Sequence, residues 1–238
     1  MPALRCKVES LSGRKYLLLG TASVTSLALY VFLAWRYPLG PNLSEPRASW
    51  ASMVAPTWIN ATQQLLVYLG LTLAYLAALR LFSPSAAGHE LSRRRLIPII
   101  IITWLICSIA LMFASPAGES HDVFDYLFRG RMMTEYKANP LSDVPESLGL
   151  SSPYIYYLGW RTNVDTYGPI WETASYSTSS GVGILARWLG WWGSTSPVCP
   201  QSQESCRLLI LYITGYRVLA ASLTGLSGWL IASIVGRT

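Results

Sequence analysis

Four carboxylates, among them Asp122 and Asp125, and two guanidinium groups fall within one short stretch, ESHDVFDYLFRGRMMTEYKANP, residues 119–140. Asp122, Asp125 and Arg129 stand at i, i+3 and i+7, so at about 100° per residue they share one helical face. Val123, Phe124, Leu127 and Phe128 take the opposite face, and Arg131 breaks the pattern by falling among them. Ser120 is a candidate N-cap, and acids in the first turn complement the helix dipole. A carboxylate within hydrogen-bond reach of an alcohol can remove its proton as the oxygen attacks. A guanidinium can stabilise a departing phosphate. Together these groups suit transfer of a unit carried on a lipid phosphate, with Asp122 or Asp125 as base and Arg129, Arg131 or Arg217 toward the phosphate. The competing role for Asp122 is structural, as a helix-start acid satisfying free backbone N–H groups.

The elements that must position these residues belong to a membrane protein. The chain of 238 residues is 52% hydrophobic and only 13% charged, against about 25% charged in ordinary soluble domains. Residues 16–35, 58–79 and 96–115 carry no charge, and each is long enough to cross a hydrocarbon core of roughly 30 Å. A fourth apolar run, 208–235, carries Arg217. An ionisable group inside a span is costly and marks a functional position, although snorkelling at a helix end is the plain alternative. The first run is longer than a signal-peptide core and is followed by Trp35-Arg36-Tyr37, so it reads as a retained helix.

The net charge of +6 sorts by topology and does not point to nucleic acid. Arg5, Lys7, Arg14 and Lys15 precede the first span, and Arg80, Arg93, Arg94 and Arg95 flank the loop after the second. Both regions therefore read as cytoplasmic. Residues 116–206 then lie outside, and nine of the chain's twelve acidic residues sit there. A loop of that length is functional or separately folded. Its first helix is expected to lie along the membrane surface, apolar face down, with Arg131 snorkelling to headgroups. Asn139-Pro140 ends that helix, and Tyr167-Gly168-Pro169 forms a turn before a second helical pattern beginning at Trp171. The uncharged part of that pattern, residues 173–186, is too short to span comfortably and reads as interfacial or re-entrant. Trp188, Trp191 and Trp192 fit an aromatic belt. Cys107 falls inside a span. Cys199 and Cys206 share the outer loop, where a disulfide is open to them but spacing alone does not decide the pairing.

The order Asp-Val-Phe-Asp-Tyr-Leu-Phe-Arg-Gly-Arg, Asn139-Pro140, Tyr167-Gly168-Pro169 and Tyr216-Arg217 resembles the C-type (GT-C) glycosyltransferase superfamily. It is most similar to the bacterial polyprenyl-phosphate-mannose-dependent α-1,6-mannosyltransferases, over roughly residues 115–220. The resemblance implies a hexosyltransferase that moves a sugar from a polyprenyl-phosphate donor to an extracytoplasmic glycan or glycolipid acceptor. The base falls on Asp122. Asp125 stands where relatives often have a non-acidic residue, and remains a second carboxylate or a metal ligand. Tyr167 and Glu172 are implied on the acceptor side, and Gly130 is implied to allow close helix packing. Members of the superfamily differ in using a divalent cation, so that cofactor stays open, with Glu119 and His121 as further ligands.

The expected architecture is an all-α multi-span membrane protein of about four transmembrane helices. Residues 1–115 hold three spans with the amino terminus inside. Residues 116–206 form the extracytoplasmic catalytic loop with amphipathic or interfacial helices, and 207–238 carry the fourth span. Relatives of this type have more spans, so the chain is expected to be an amino-terminal part of such an enzyme. The alternative function is a non-catalytic membrane subunit or binding module derived from one.

Overall fold

The computed structural model describes residues 2–39, 57–81, 93–115, 122–148, 155, 158–191 and 203–235. These residues are helical throughout their regular structure, with no strand among them. Helix α1 covers Pro2–Arg36, α2 Trp58–Leu81 and α3 Arg93–Phe113. Helix α4 covers Asp122–Arg131 and runs straight into a π-helical turn, Met132–Tyr136. A 3-10 turn at Pro145–Leu148, α5 at Pro169–Trp188 and α6 at Gln203–Val235 follow. The chain divides into two compact units, Met1–Pro38 with Val54–Ala117, and Leu39–Met53 with Gly118–Thr238.

Three helices are long and apolar enough to cross a membrane: Tyr16–Arg36, Trp58–Arg80 and Arg207–Ile234. The expected third span is shorter than its uncharged run. Its apolar helix is Ile97–Phe113, because Ala114 leaves the helix to form an isolated bridge with Pro38. Helix α5 has twenty residues yet is not one of those three, since Ser, Thr and Gly fill much of it.

In the first unit α1 packs against both α2 and α3. Leu33, Tyr37, Val67 and Ala114 form a small core, while Leu17, Val24, Leu65, Leu73, Ile101 and Ile109 face outward. Exposed leucines and isoleucines are what a helix presents to lipid. Polar side chains close one end. The Arg36 Nη2 donates to Asn60 Oδ1 at 2.9 Å, and the Tyr37 hydroxyl donates to Gln63 Oε1 at 3.1 Å. The Ser115 hydroxyl donates to the Pro38 carbonyl at 3.0 Å.

In the second unit α4 packs against α5 and α6. Its apolar side chains Phe124, Leu127 and Phe128 enter a protein core with Leu209, Tyr212, Ile213 and Tyr216 of α6 and Val182 and Ala186 of α5. The apolar face of α4 is therefore covered by helices, in contrast to the membrane-surface placement its amphipathic pattern suggests. Asp125 and Arg129 on the opposite face, and Arg131 on the apolar one, are buried as well.

Close approach is made possible by Gly130. A Cβ there would stand 2.5 Å from the Tyr216 hydroxyl and 2.7 Å from the Ser175 carbonyl oxygen. The Tyr216 hydroxyl fills that space, 2.8 Å from the Tyr126 carbonyl and 3.1 Å from the Ser175 carbonyl. Ser179 Oγ lies 3.2 Å from it. Gly130→Ala should cost about 1–3 kcal/mol of stability through overpacking and lower the unfolding midpoint in detergent micelles. Gly181→Ala is the matched control, because nothing lies within 4 Å of a Cβ there. Equal midpoints for both variants would remove the helix contact at Gly130.

Candidate functional site

Helix α4 opens at Asp122, which is half-buried and not a free charge, since it interacts with a neighbouring group. One turn on, Asp125 is 1% exposed. Its two oxygens accept the backbone N–H of Gly159 at 3.3 Å and of Trp160 at 3.2 Å. Asp125 thus ties α4 to a loop thirty-five positions downstream in sequence. Burial pushes its carboxyl up to about 6, against the lowering effect of the two N–H groups and of Arg129.

Arg129 continues inward from the same face. Its Nε lies 3.6 Å from Asp165 Oδ1, and its Nη2 donates to the Asn163 carbonyl at 3.0 Å. Asp165 Oδ2 accepts the N–H groups of Tyr167 at 2.9 Å and Gly168 at 3.1 Å. This is an Asx-type turn. Gly168 has φ +87°, a conformation that side chains disfavour. Pro169 then occupies the first turn of α5, where its missing N–H costs nothing.

Glu172 lies one turn into α5 and is 3% exposed. No described group donates a hydrogen bond to either of its oxygens. Burial, then the nearby Asp165 charge, push its carboxyl up to about 7, while Arg129 acts the other way. Protonated Glu172 can serve as donor to Asp165, whose Oδ1 has no hydrogen-bond partner among the described residues. The three side chains form a buried cluster in which one cation faces two carboxyl groups. Tyr126 covers this region, with Tyr167 edge-on at 5.0 Å and Trp171 at 4.7 Å between ring centres.

The guanidiniums expected at a phosphate have separate duties. Arg129 is 3% exposed and serves Asp165 and Asn163. Arg131 is 7% exposed. It pairs with Glu135 and stacks over Tyr212 at 5.2 Å, because the π-turn brings Glu135 back beneath it. Glu135 Oε1 also accepts the Tyr212 hydroxyl at 3.2 Å. Arg217 is half-buried on α6 beside Tyr216 and has an interaction partner. Tyr167 is exposed at the turn, whereas Glu172 is buried.

Among the described residues no three His, Cys, Asp or Glu side chains come together as a metal-binding group. Glu119, Ser120, His121, Trp192 and Cys199 lie outside the described residues, as does the side chain of Cys206. The organising residue that sequence reasoning passed over is Asp165. Its signal was an acid two and three residues before Tyr167 and Gly168, the spacing of a side chain that caps its own turn. No protein-family profile, curated protein or solved structure matches this chain.

The carboxyl cluster makes stability depend on pH. Between the ordinary value of 4.5 and about 7, folded Glu172 holds a proton that the unfolded chain has released. Stability therefore falls as pH rises through that window. Asp125 acts in the same direction between 3.8 and about 6. The unfolding midpoint in detergent should be higher at pH 5 than at pH 7.5. Glu172→Gln should flatten that fall and add on the order of 2 kcal/mol at neutral pH. A wild-type midpoint independent of pH over this range contradicts a buried Glu172.

Proposed function

We propose that the chain acts in glycosyl transfer at a membrane, moving a sugar from a polyprenyl-phosphate donor to an extracytoplasmic glycan or glycolipid acceptor. In this reading the amino terminus is cytoplasmic, α3 is a further span, and residues 116–206 face outward. The observation that carries it is the division between the two carboxylates of α4. Asp125 is spent on backbone N–H groups inside the protein, whereas Asp122 sits half-buried at the helix's first turn. A general base must reach an incoming hydroxyl, and of the two carboxylates the less buried Asp122 is the better suited to that role.

The acceptor O–H proton passes to Asp122 as the oxygen bonds to the anomeric carbon of the donor sugar. The bond from that carbon to the phosphate oxygen breaks, and the polyprenyl phosphate leaves with the electron pair. Arg217, in a span and adjacent to the Tyr216 junction, takes the phosphate side, since negative charge grows there in the transition state. Arg129, Asp165 and Glu172 hold the helix and the turn in place. The resemblance of residues 115–220 to C-type glycosyltransferases supports the assignment of donor and reaction.

Radiolabelled transfer from a panel of polyprenyl-phosphate sugars, by membranes with and without the full-length protein, tests the reading. Asp122→Asn should lower transfer by about 10²-fold or more with membrane insertion unchanged. Turnover at the wild-type rate in that variant contradicts Asp122 as base. Wild-type membranes that transfer no sugar from any donor leave the non-catalytic subunit as the better reading.

A further inference from the structure

A cleft of about 450 Å³ opens between the π-helical turn and α5, inside the range of about 300–1,000 Å³ that small ligands occupy. Glu135 and Lys137 line one side. Tyr176, Ser180, Gly183 and Ile184 line the other, and at i, i+4, i+7 and i+8 they form one stripe of α5. The cleft includes neither Asp122 nor the carboxyl cluster at Glu172. The Tyr212 hydroxyl donates to Glu135, which sets the cleft beside the half of α6 that α4 and α5 cover. The exposed apolar half of α6 begins farther along, at Val218. That position favours a ligand taken from water.

The backbone at the lip is unusual in two respects. A π-helical turn is rare and occurs often at functional positions. Immediately after it, Lys137 adopts φ 57°, ψ 24°, the left-handed region, where glycine or asparagine is the ordinary choice. The N–H groups of both Lys137 and Ala138 hold it there by donating to the Met132 carbonyl. Strain of this kind gathers at ligand-binding positions. In a regular α-helix, residues two apart do not face each other. Here Glu135 and Lys137, an acceptor and a donor two apart, line the same space.

The open hydrogen-bonding groups are of both kinds. Glu135 accepts from Arg131 and from Tyr212, which leaves part of the roughly four acceptor sites of a carboxylate unfilled. Lys137 Nζ donates one N–H to the Thr134 carbonyl at 3.0 Å and keeps the others. The hydroxyls of Ser180 and Tyr176 have no partner among the described residues, and each can donate and accept. Arg187 at the lip is already committed, to the Gly183 carbonyl and to a further group, so it acts as wall and not as a recognition charge. The Tyr176 ring, 47% exposed, and the Ile184 side chain give an apolar surface. A matching ligand has hydroxyls around its edge and a face of C–H groups to lie on the ring. A pyranose sugar has that form, and it carries no charge that would call for a free cation.

We infer that this cleft binds an uncharged pyranose sugar, with its C–H face against Tyr176 and its hydroxyls on Glu135, Lys137 and Ser180. The inference goes beyond the transfer reaction. Binding here needs neither a donor nor turnover, so a failure of Asp122 as base leaves it standing.

The test uses the full-length protein in phosphatidylcholine nanodiscs and reads saturation-transfer NMR of methyl α-mannoside, methyl β-glucoside and methyl β-galactoside. Cyclohexanol, an apolar ring with a single hydroxyl, and ethylene glycol, hydroxyls without a ring, are the controls. Saturable transfer to the ring protons of at least one glycoside is expected, with none to either control and none from empty discs. Tyr176→Ala should weaken binding about fivefold or more by removing the wall. Ser180→Ala should weaken it about threefold or more by removing one hydrogen bond. Tyr176 is exposed and Ser180 half-buried, and alanine is the best helix former, so both variants should fold. Ser177→Ala is the matched control, since Ser177 is on α5 but does not line the cleft, and it should bind as the wild type does. The inference is overturned if no glycoside binds, if the small controls bind equally, or if either Tyr176→Ala or Ser180→Ala binds no more weakly than Ser177→Ala.

Discussion

Three helices of the second unit meet at one phenol. The Tyr216 hydroxyl lies within hydrogen-bond distance of carbonyls on α4 and α5 and of the Ser179 side chain. It can do so only because position 130 has no side chain. The interaction is short-range and tolerates little displacement, since protein interiors are close-packed and cannot deform continuously. It fixes α4 against α5, and so sets where Asp125 meets the Gly159 and Trp160 backbone and where Arg129 meets Asp165. The same phenol belongs to a helix apolar enough to cross a membrane, which couples the polar cluster to that helix.

The second constraint is the cost of buried charge. Helix α4 is short, amphipathic by sequence, and covered on both faces. Two arginines and three carboxyl groups lie nearly out of water around it. Charges removed from water stay ionised only when paired and hydrogen-bonded. Asp125 and Asp165 meet that requirement with backbone N–H groups, and Arg129 meets it with Asp165 and the Asn163 carbonyl. Glu172 has no donor, and burial raises its carboxyl to about 7, toward the neutral form. The network spends charge on shape: it closes the Tyr167-Gly168-Pro169 turn, starts α5 and anchors the Gly159–Trp160 loop. The residue left nearest the outside is Asp122, which is why the functional proposal rests on it.

Much of the local structure was legible in the residues. The apolar runs located α1, α2 and α6. Asn139-Pro140 and Tyr167-Gly168-Pro169 marked real boundaries, and Gly130 stands at a close helix contact. Periodicity also placed Asp122, Asp125 and Arg129 on one face. It could not say what that face meets. The two-sided pattern of α4 fits a membrane surface and a protein core equally well, and only the packing of α5 and α6 decides between them. Arg131 illustrates the same limit. Its partner Glu135 lies four residues on, but a π-turn and the Tyr212 ring set the geometry. Glu172 was legible as an acid near a turn, whereas its inward orientation depends on Asp165 and Arg129, which sequence spacing does not bring together. The left-handed Lys137 has no sequence signal beyond the Asn139-Pro140 that follows it.

The central functional claim is that the amino end of α4 faces the outer side of the membrane with Asp122 within reach of water. Site-directed labelling of Asp122→Cys in intact cells with a membrane-impermeant maleimide tests this directly, with Cys107 and the other native cysteines replaced. The account predicts modification from outside without permeabilising the cells. Modification only after the cytoplasm is opened, or none in either condition while the unfolded protein labels fully, contradicts it.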